Sequence, residues 1–330
     1  AQATLAQVLQ LGQEPGGQTD LPARRAMVPE AGSRARTALL ATTVVLCGAV
    51  IAATSKLISE GVPACEQLFV RSLLCLAASP LLGGSGLGAL RRSRSPGRLL
   101  LRGVLGFLAS LCSVEALRAL PLNTFALLTR LHPLVGPALL RLFSGEGLLP
   151  QHAVGYAIAA VGVSVGVPED TWRATSPLAF GYNYGLATTV LTALSFAGVS
   201  RMTRLGEDPA AVRAAFHVAG LLGSLACGLG LGAPGLALPG ARDAGLLALG
   251  AAAASGLQLG LSHLFDAPAP AAAVPCLLLL PVFSAALGAL LGQGPPTWQE
   301  ALAFVLISAG VGIGQVGAGA AADTADKKDA

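Results

Sequence analysis

Runs of about twenty apolar residues, separated by short polar stretches, recur ten times along the chain. They cover residues 37–58, 63–83, 98–118, 121–142, 150–167, 178–203, 209–232, 241–265, 268–291 and 298–319. A helix rises about 1.5 Å per residue, so about 20 such residues cross the ~30 Å hydrocarbon core of a bilayer. Each run therefore predicts a membrane-spanning helix. The pattern is cleanest at 37–58 and 298–319 and weakest at 268–291, which carries Pro268, Pro270, Pro275 and Pro281. Proline is tolerated in a spanning helix where neighbours satisfy the freed carbonyls, often beside a cavity. Breaks in spans four and nine are the expected hinges.

Composition narrows the class. Hydrophobic residues make up 53% of the 330 and charged residues 12%, with a mean hydropathy of +0.68. Thirty-eight charged side chains (21 basic and 17 acidic) cannot cover the surface of a soluble protein of this length. So apolar a chain is not disordered either. The 42 glycines include small-xxx-small pairs at Gly162/Gly166, Gly256/Gly260, Gly288/Gly292 and Gly310/Gly314. Such pairs let helices approach closely. Internal packing is their expected use, and a homodimer is the alternative.

Charge placement sets an orientation. With the N-terminus in the cytosol, the cytosolic segments hold Arg24–Arg36, Arg91–Arg98, Arg141, Arg201, Arg204, Lys327 and Lys328. The opposite side holds Lys56, Arg118, Arg173 and Arg242, with Glu169 and Asp170. The positive-inside rule then puts both termini in the cytosol. The final Lys-Lys-Asp-Ala either resembles a dilysine retrieval signal or is a plain polar tail. The endoplasmic reticulum or Golgi and the plasma membrane are accordingly the expected locations. Nucleic acid is not an expected partner, since apolar runs separate the basic clusters; membrane lipids and a small-molecule solute are.

Catalytic chemistry finds no support. Six cysteines (Cys47, Cys65, Cys75, Cys112, Cys227, Cys276) lie in apolar runs without zinc spacing, and read as small packing residues. No P-loop, HExxH or GxSxG occurs, and two GxGxxG matches at 230–235 and 312–317 follow no strand. The expectation is no enzyme, no cofactor and no metal.

The two halves of the chain resemble each other. At an offset of 148, Ala119 meets Ala267, Pro133 meets Pro281, Gly162 meets Gly310 and Val163 meets Val311. At an offset of 146, Pro63 meets Pro209 and Arg71 meets His217. Each half has five spans, an odd number, so the second enters from the opposite side. Inverted repeats of this kind mark many secondary transporters. The expected fold is all-α: a polytopic membrane protein of ten transmembrane helices arranged as two inverted five-helix repeats. The first repeat covers 37–167 and the second 178–319, between a disordered cytosolic tail at 1–36 and a cytosolic tail at 320–330.

Particular stretches carry a family likeness. PACEQLFVRSLL (63–74), RGVLG (102–106), EALRALPLNTFALLTRLHPLVGPALL (115–140) and GEG (145–147) resemble motifs of the drug/metabolite transporter superfamily. Its EamA-type members carry paired five-helix repeats. RGVLG with the Arg71 segment is most similar to the eukaryotic solute-carrier branch of nucleotide-sugar and organic-anion carriers. In this likeness Glu146 takes the acidic place after the fourth helix, whereas PVFSAALGALLGQG has Gln293 where an acid is usual. The resemblance covers about residues 37–319 and implies a transporter without naming its solute.

An ionisable side chain at mid-bilayer is costly, so those near span centres are the functional candidates. Arg71, Arg130, His132 and His217 qualify, and all are cationic or can become so. Lining a cavity, they would favour an anion. Arg71 either lines the site or is pinned to neighbouring helix carbonyls or to a buried acid such as Glu66 or Glu115. On one continuous helix Arg130 and His132 stand about 200° apart, so one cavity takes only one of them, and Arg130 is the expected one. His217 reads as a packed imidazole or as a proton carrier; His132 and Glu115 are further candidates for proton coupling or polar support. His152 and His263 read as interfacial. Lys56 with Glu60, and Glu115 with Arg118, have pairing spacings at outer helix ends. Lys56 could instead reach inward to a substrate anion. Tyr182, Asn183 and Tyr184 read as an aromatic belt or as a surface for a base or sugar.

The expected function is secondary transport of a small polar, anionic organic solute by alternating access. The alternative is a non-transporting membrane scaffold or regulator that keeps the carrier fold. Its basic loop around Ser93–Gly97 would then dock a partner or anionic lipid.

Overall fold

The computed structural model describes residues 31–58, 60–82, 86–144, 150–167, 177–230, 239–265 and 279–326. Among these residues there is no strand. Twelve helices are described: α1 (Ala31–Leu57), α2 (Ala64–Ala78), α3 (Gly86–Arg92), α4 (Pro96–Ala119), α5 (Leu122–Thr129) and α6 (His132–Ser144), then α7 (Pro150–Gly166), α8 (Pro177–Arg204), α9 (Pro209–Gly230), α10 (Ala241–Phe265), α11 (Leu280–Leu290) and α12 (Trp298–Asp326). A 3₁₀ turn, Ser79–Leu82, extends α2.

Every apolar run holds a described helix. The fourth run holds two, α5 and α6, and the ninth is described only from residue 279. Ala35–Leu57, Pro96–Ala119, Pro209–Gly230 and Ala241–Leu264 are long and apolar enough to cross a membrane, and shorter apolar helices accompany them. The chain is a polytopic helical membrane protein. Helix and apolar run end at different places at the two termini: α1 begins at Ala31, ahead of residue 37, and α12 runs on to Asp326. Loss of hydrophobicity does not end a helix, and the alanine-rich flanks favour its continuation.

The surface and the interior invert the pattern of a soluble protein. Leu39, Leu229 and Leu290 point outward at 70%, 76% and 82% exposure. Polar side chains such as Thr54, Thr189, Ser195, Ser224 and Ser284 are buried. Hydroxyls find partners on helix carbonyls: Thr54 donates to Val50 at 2.9 Å, and Thr189 donates to Leu128 at 2.8 Å across helices. Lipid takes the place of water around such a molecule, and polar groups turn inward to be satisfied.

Helix pairing is selective. α7 packs along α12, α2 along α9, and α5 against α11. α4 packs on α8 and α1 on α10; α4 on α9 and α2 on α10; α6 on α8 and α11 on α1. Close approach rests on glycine at two of these seams. A Cβ on Gly155 would stand 2.6 Å from the carbonyl oxygen of Gly310, and one on Gly310 2.5 Å from that of Gly155. A Cβ on Gly103 would meet the Ala215 carbonyl oxygen at 2.5 Å, so α4 and α9 touch backbone to backbone there. Gly162, Gly166, Gly256, Gly260, Gly310 and Gly314 face neighbouring helices of the same chain, as the internal-packing reading expected, whereas Gly292 lies in a turn past α11 with nothing within 4 Å of its Cβ position.

Candidate functional site

Four basic side chains converge where α2, α4 and α9 meet. His217 on α9 lies within electrostatic reach of Arg71 on α2, Arg102 on α4 and Arg213 one turn earlier on α9. Arg71 and His217, 146 residues apart in the sequence, thus come to one seam. The glycine contact at Gly103 holds α4 against α9 and fixes Arg102. The stem of Arg102 lies against Gly198 of α8, its guanidinium sits 5.2 Å from the Phe216 ring centroid, and Nη1 donates to the Val212 carbonyl at 3.4 Å. A guanidinium over an aromatic face gains from the ring quadrupole. Arg102 Nε has no hydrogen-bond partner among the described residues. Arg213 donates to Ser262 Oγ of α10 at 3.1 Å, with Asp208 in electrostatic reach.

Among the described residues no carboxylate stands within salt-bridge distance of Arg71, Arg102 or Arg213. Glu66 and Glu115, the two candidate acids for pinning Arg71, form no ion pair with it. At 1.5 Å per residue, Arg213, Arg102 and His217 lie roughly 6, 9 and 12 Å from the start of their helices. The guanidinium groups of Arg213 and Arg102, with the His217 imidazole beside them, form a ladder running inward from one end of the bundle to Arg71. Charges this deep and short of carboxylate partners favour an anionic visitor.

Arg130 and His132 flank the break between α5 and α6. Pro133 carries no N–H, so the Thr129 carbonyl has no helical partner from it. His132 Nδ1–H donates to that carbonyl at 2.6 Å. Arg130 and Leu131 continue the chain through i→i−3 bonds to Leu127 and Leu128, both 3.1 Å. The 200° separation expected of Arg130 and His132 assumed an unbroken helix, and the break removes that premise. Arg130 is buried, His132 lies in electrostatic reach of it, and the imidazole meets Phe196 of α8 edge-on at 5.3 Å.

The outer basic residues are tied down. Lys56 Nζ donates to the carbonyls of Arg118 and Leu120, at 3.2 and 3.0 Å, where α4 ends. Glu60 is within electrostatic reach of Lys56, but the carbonyls take its hydrogen bonds. Arg118 pairs with Glu115 at 3.4 Å, as their spacing predicted, and also donates to the Val62 carbonyl. Glu115 thus serves this knot, away from the inner ladder.

Tyr182, Asn183 and Tyr184 do not share a surface. Successive helical residues turn by 100°, so three in a row cannot face one cavity. Tyr182 is buried beside Leu120 and Leu128, whereas Asn183 and Tyr184 are exposed. His263 is exposed; His152, read as interfacial, is instead 2% exposed under α12 because α7 is covered along its length there. Glu146, Glu169, Asp170, Arg173, Lys327 and Lys328 lie outside the described residues. Cys75 is a packed interior thiol, accepting from Ser255 at 3.3 Å and donating to the Ala251 carbonyl at 3.4 Å. No group of three metal-ligating side chains forms among the described residues.

Arg102 and Arg213 are the residues that the sequence pattern did not single out. Both sit within two turns of a helix start, where an arginine reads as an orientation charge. The signal was spacing: Arg213 stands one turn before His217, on the same face.

A multi-helix bundle with apolar spans and an interior seam of cations defines the class: an integral membrane protein. Residues 35–166 match the model of the EamA-like transporter family. That family is one of transporters rather than enzymes. A solved structure described as "Crystal structure of protein" superposes with a TM-score of 0.55 at 20% identity, over 87% of this chain and 98% of that chain. At that identity the likeness carries the fold alone. No curated protein matches the chain.

Proposed function

We propose that the chain is a secondary transporter that moves a small polar, anionic organic solute by alternating access, with Arg71, Arg102, Arg213 and His217 as its anion-binding wall. The observation that carries this reading is the cation ladder, whose guanidinium groups have no carboxylate within salt-bridge distance among the described residues. Arg130, buried at the hinge of the fourth run, is the second candidate contact. Tyr182 is a packing neighbour in this reading, and Lys56, Asn183 and Tyr184 stand apart from the solute.

The mechanism needs two halves that rock about a central seam. Helix pairing supports ten spans in two inverted repeats. Number the runs one to ten and exchange each with the run five away. The α4–α8 pair then becomes α10–α1, α4–α9 becomes α10–α2, and α6–α8 becomes α11–α1, while α2–α9, α5–α11 and α7–α12 map onto themselves. Helix starts repeat as well: α6 opens with His132-Pro133 and α11 with Leu280-Pro281, 148 residues apart, as do α7 at Pro150 and α12 at Trp298. The basic loop at 91–98 supports a cytosolic position for the end of the bundle from which the ladder enters.

Purified protein in lipid vesicles tests the reading. Uptake of a panel of nucleotide sugars, sugar phosphates and dicarboxylates is expected for at least one class, with its loss in Arg71→Ala and Arg102→Ala. A ligand that binds only the folded carrier also raises its melting temperature. Unchanged uptake in both variants would overturn the anion wall. Absence of uptake for every solute would favour the scaffold.

A further inference from the structure

The loop between α3 and α4 reads Arg91-Arg92-Ser93-Arg94-Ser95-Pro96-Gly97-Arg98. It meets the turn between α8 and α9, and the Glu207 side chain bridges the two. Glu207, 9% exposed, takes the Ser95 hydroxyl on Oε1 at 2.6 Å and the Ser95 backbone N–H on the same oxygen at 3.1 Å. The Ser93 hydroxyl and the Arg94 backbone N–H complete its donors. Ser95 stands at the N-cap of α4. A serine there ordinarily accepts from an amide of the first turn. Ser95 makes no such capping bond and turns to Glu207 instead. A cleft of about 270 Å³ opens beside the joint, lined by Arg92, Arg94, Gly206 and Asp208 among others.

We propose that Ser95 is a phosphorylation site for an arginine-directed serine kinase, and that its phosphate unlatches the α3–α4 loop from the α8–α9 turn. Arg92 and Arg94, three residues and one residue before Ser95, supply the charge pattern by which such a kinase recognises a substrate. In the reaction the γ-phosphoryl group of ATP passes to Ser95 Oγ. The bond to the β-phosphate bridging oxygen breaks, ADP leaves with its electron pair, and the kinase base takes the hydroxyl proton. The product has lost the shortest of the hydrogen bonds given to Glu207 and gained about −1.5 to −2 charge beside a buried carboxylate. Like charges in contact cannot reform the joint. A kinase must take the segment away from Glu207, so it modifies the unlatched loop and the phosphate then keeps it so.

The latch joins α4, which carries Arg102, to α9, which carries Arg213 and His217, at the ladder's entry. Its link to solute passage rests on the transport reading; its opening does not, and is measured without solute. Full-length protein lacking its native cysteines is labelled with nitroxides through Gly97→Cys and Leu205→Cys. A side chain at Gly97 meets nothing within 4 Å, and Leu205 is 48% exposed. ATP and the catalytic subunit of an arginine-directed kinase are added. Phosphate is located by mass spectrometry and the inter-label distance by pulsed electron resonance. Phosphate is expected on Ser95, with the ratio of latched to unlatched molecules falling about tenfold, equivalent to about 1.4 kcal/mol. Ser95→Glu should do the same without kinase, and Glu207→Arg combined with Ser95→Glu should restore the short distance. If Ser95→Glu does not fold, phosphorylated protein with and without Glu207→Arg makes the same comparison. Phosphate absent from Ser95, or present there with unchanged distances, overturns the proposal. Normal unlatching in a protein that moves no solute counts instead against the transport reading.

Discussion

The outer knot and the inner ladder are both built from basic residues on packed helices, yet their cations end in opposite situations. At the outer end, Lys56 sits on the closing carbonyls of α4 and Arg118 on Glu115 and the Val62 carbonyl. Lys56 closes the end of α4 from α1, and Arg118 ties α4 to the α1–α2 connection. At the inner seam Arg71, Arg102 and Arg213 gather around His217, with no carboxylate in salt-bridge reach among the described residues. A charge held by a helix end is structural, because basic groups belong near the negative end of the helix dipole. Cations that crowd one another in an apolar interior destabilise the empty protein unless something anionic visits. The difference lies in partners rather than in residue type.

The sharpest way to break this contrast is to neutralise one residue from each region. On the proposed transport reading, Arg102→Ala or Arg71→Ala should lower solute uptake about 10- to 100-fold, the worth of one hydrogen bond to a charged group, about 1.5–3 kcal/mol. The initial rate of vesicle uptake measures it, with a rise in KM expected. Lys56→Met should leave KM unchanged while lowering the melting temperature. Equal transport losses in both would erase the distinction.

Next in size is the scaffold. Gly155→Leu forces a side chain into the Gly310 backbone and should destabilise by about 1–3 kcal/mol. Its readout is the thermal unfolding midpoint in detergent. Gly97→Leu, with open space around its Cβ, should be silent in the same measurement.

The smallest effect is expected at the latch. Burial by itself would raise the Glu207 carboxyl, but hydrogen bonds from Ser95, Ser93 and Arg94 outweigh it and hold the group below the ordinary carboxylate value. A carboxyl lowered on folding contributes stability above its unfolded pKa, about 4.3, and loses it as pH falls through the lower folded value. The latch should therefore be intact at neutral pH and weaken only in that acidic window. Glu207→Gln should remove this pH step from a melting-temperature profile without altering the neutral-pH fold.

Much of the fold was legible beforehand. Run length located helices on all ten segments, and the proline register located both the break before Pro133 and the start of α11 before Pro281. The Glu115–Arg118 pair followed from spacing alone. Other positions were not legible for identifiable reasons. Arg102 was not singled out, because its place depends on the Gly103–Ala215 contact that sets its helix against α9. His152 looked interfacial because α12, which covers it, is about 150 residues away in sequence. Asn183 and Tyr184 belonged with Tyr182 as a string of letters but not on a helix that turns 100° per residue.

What the sequence by itself determined is the class: an apolar, charge-poor chain with spans of bilayer length has one available environment, because backbone polar groups in lipid must be satisfied within helices. Which helix faces which was decided only by the tertiary structure. Arg71 and His217 are 146 residues apart and become neighbours because α2 and α9 pack together. A membrane helix is apolar on most of its circumference, so periodicity does not say which side faces lipid. Small-residue contacts between backbones make that choice, and they depend on partners distant in the chain.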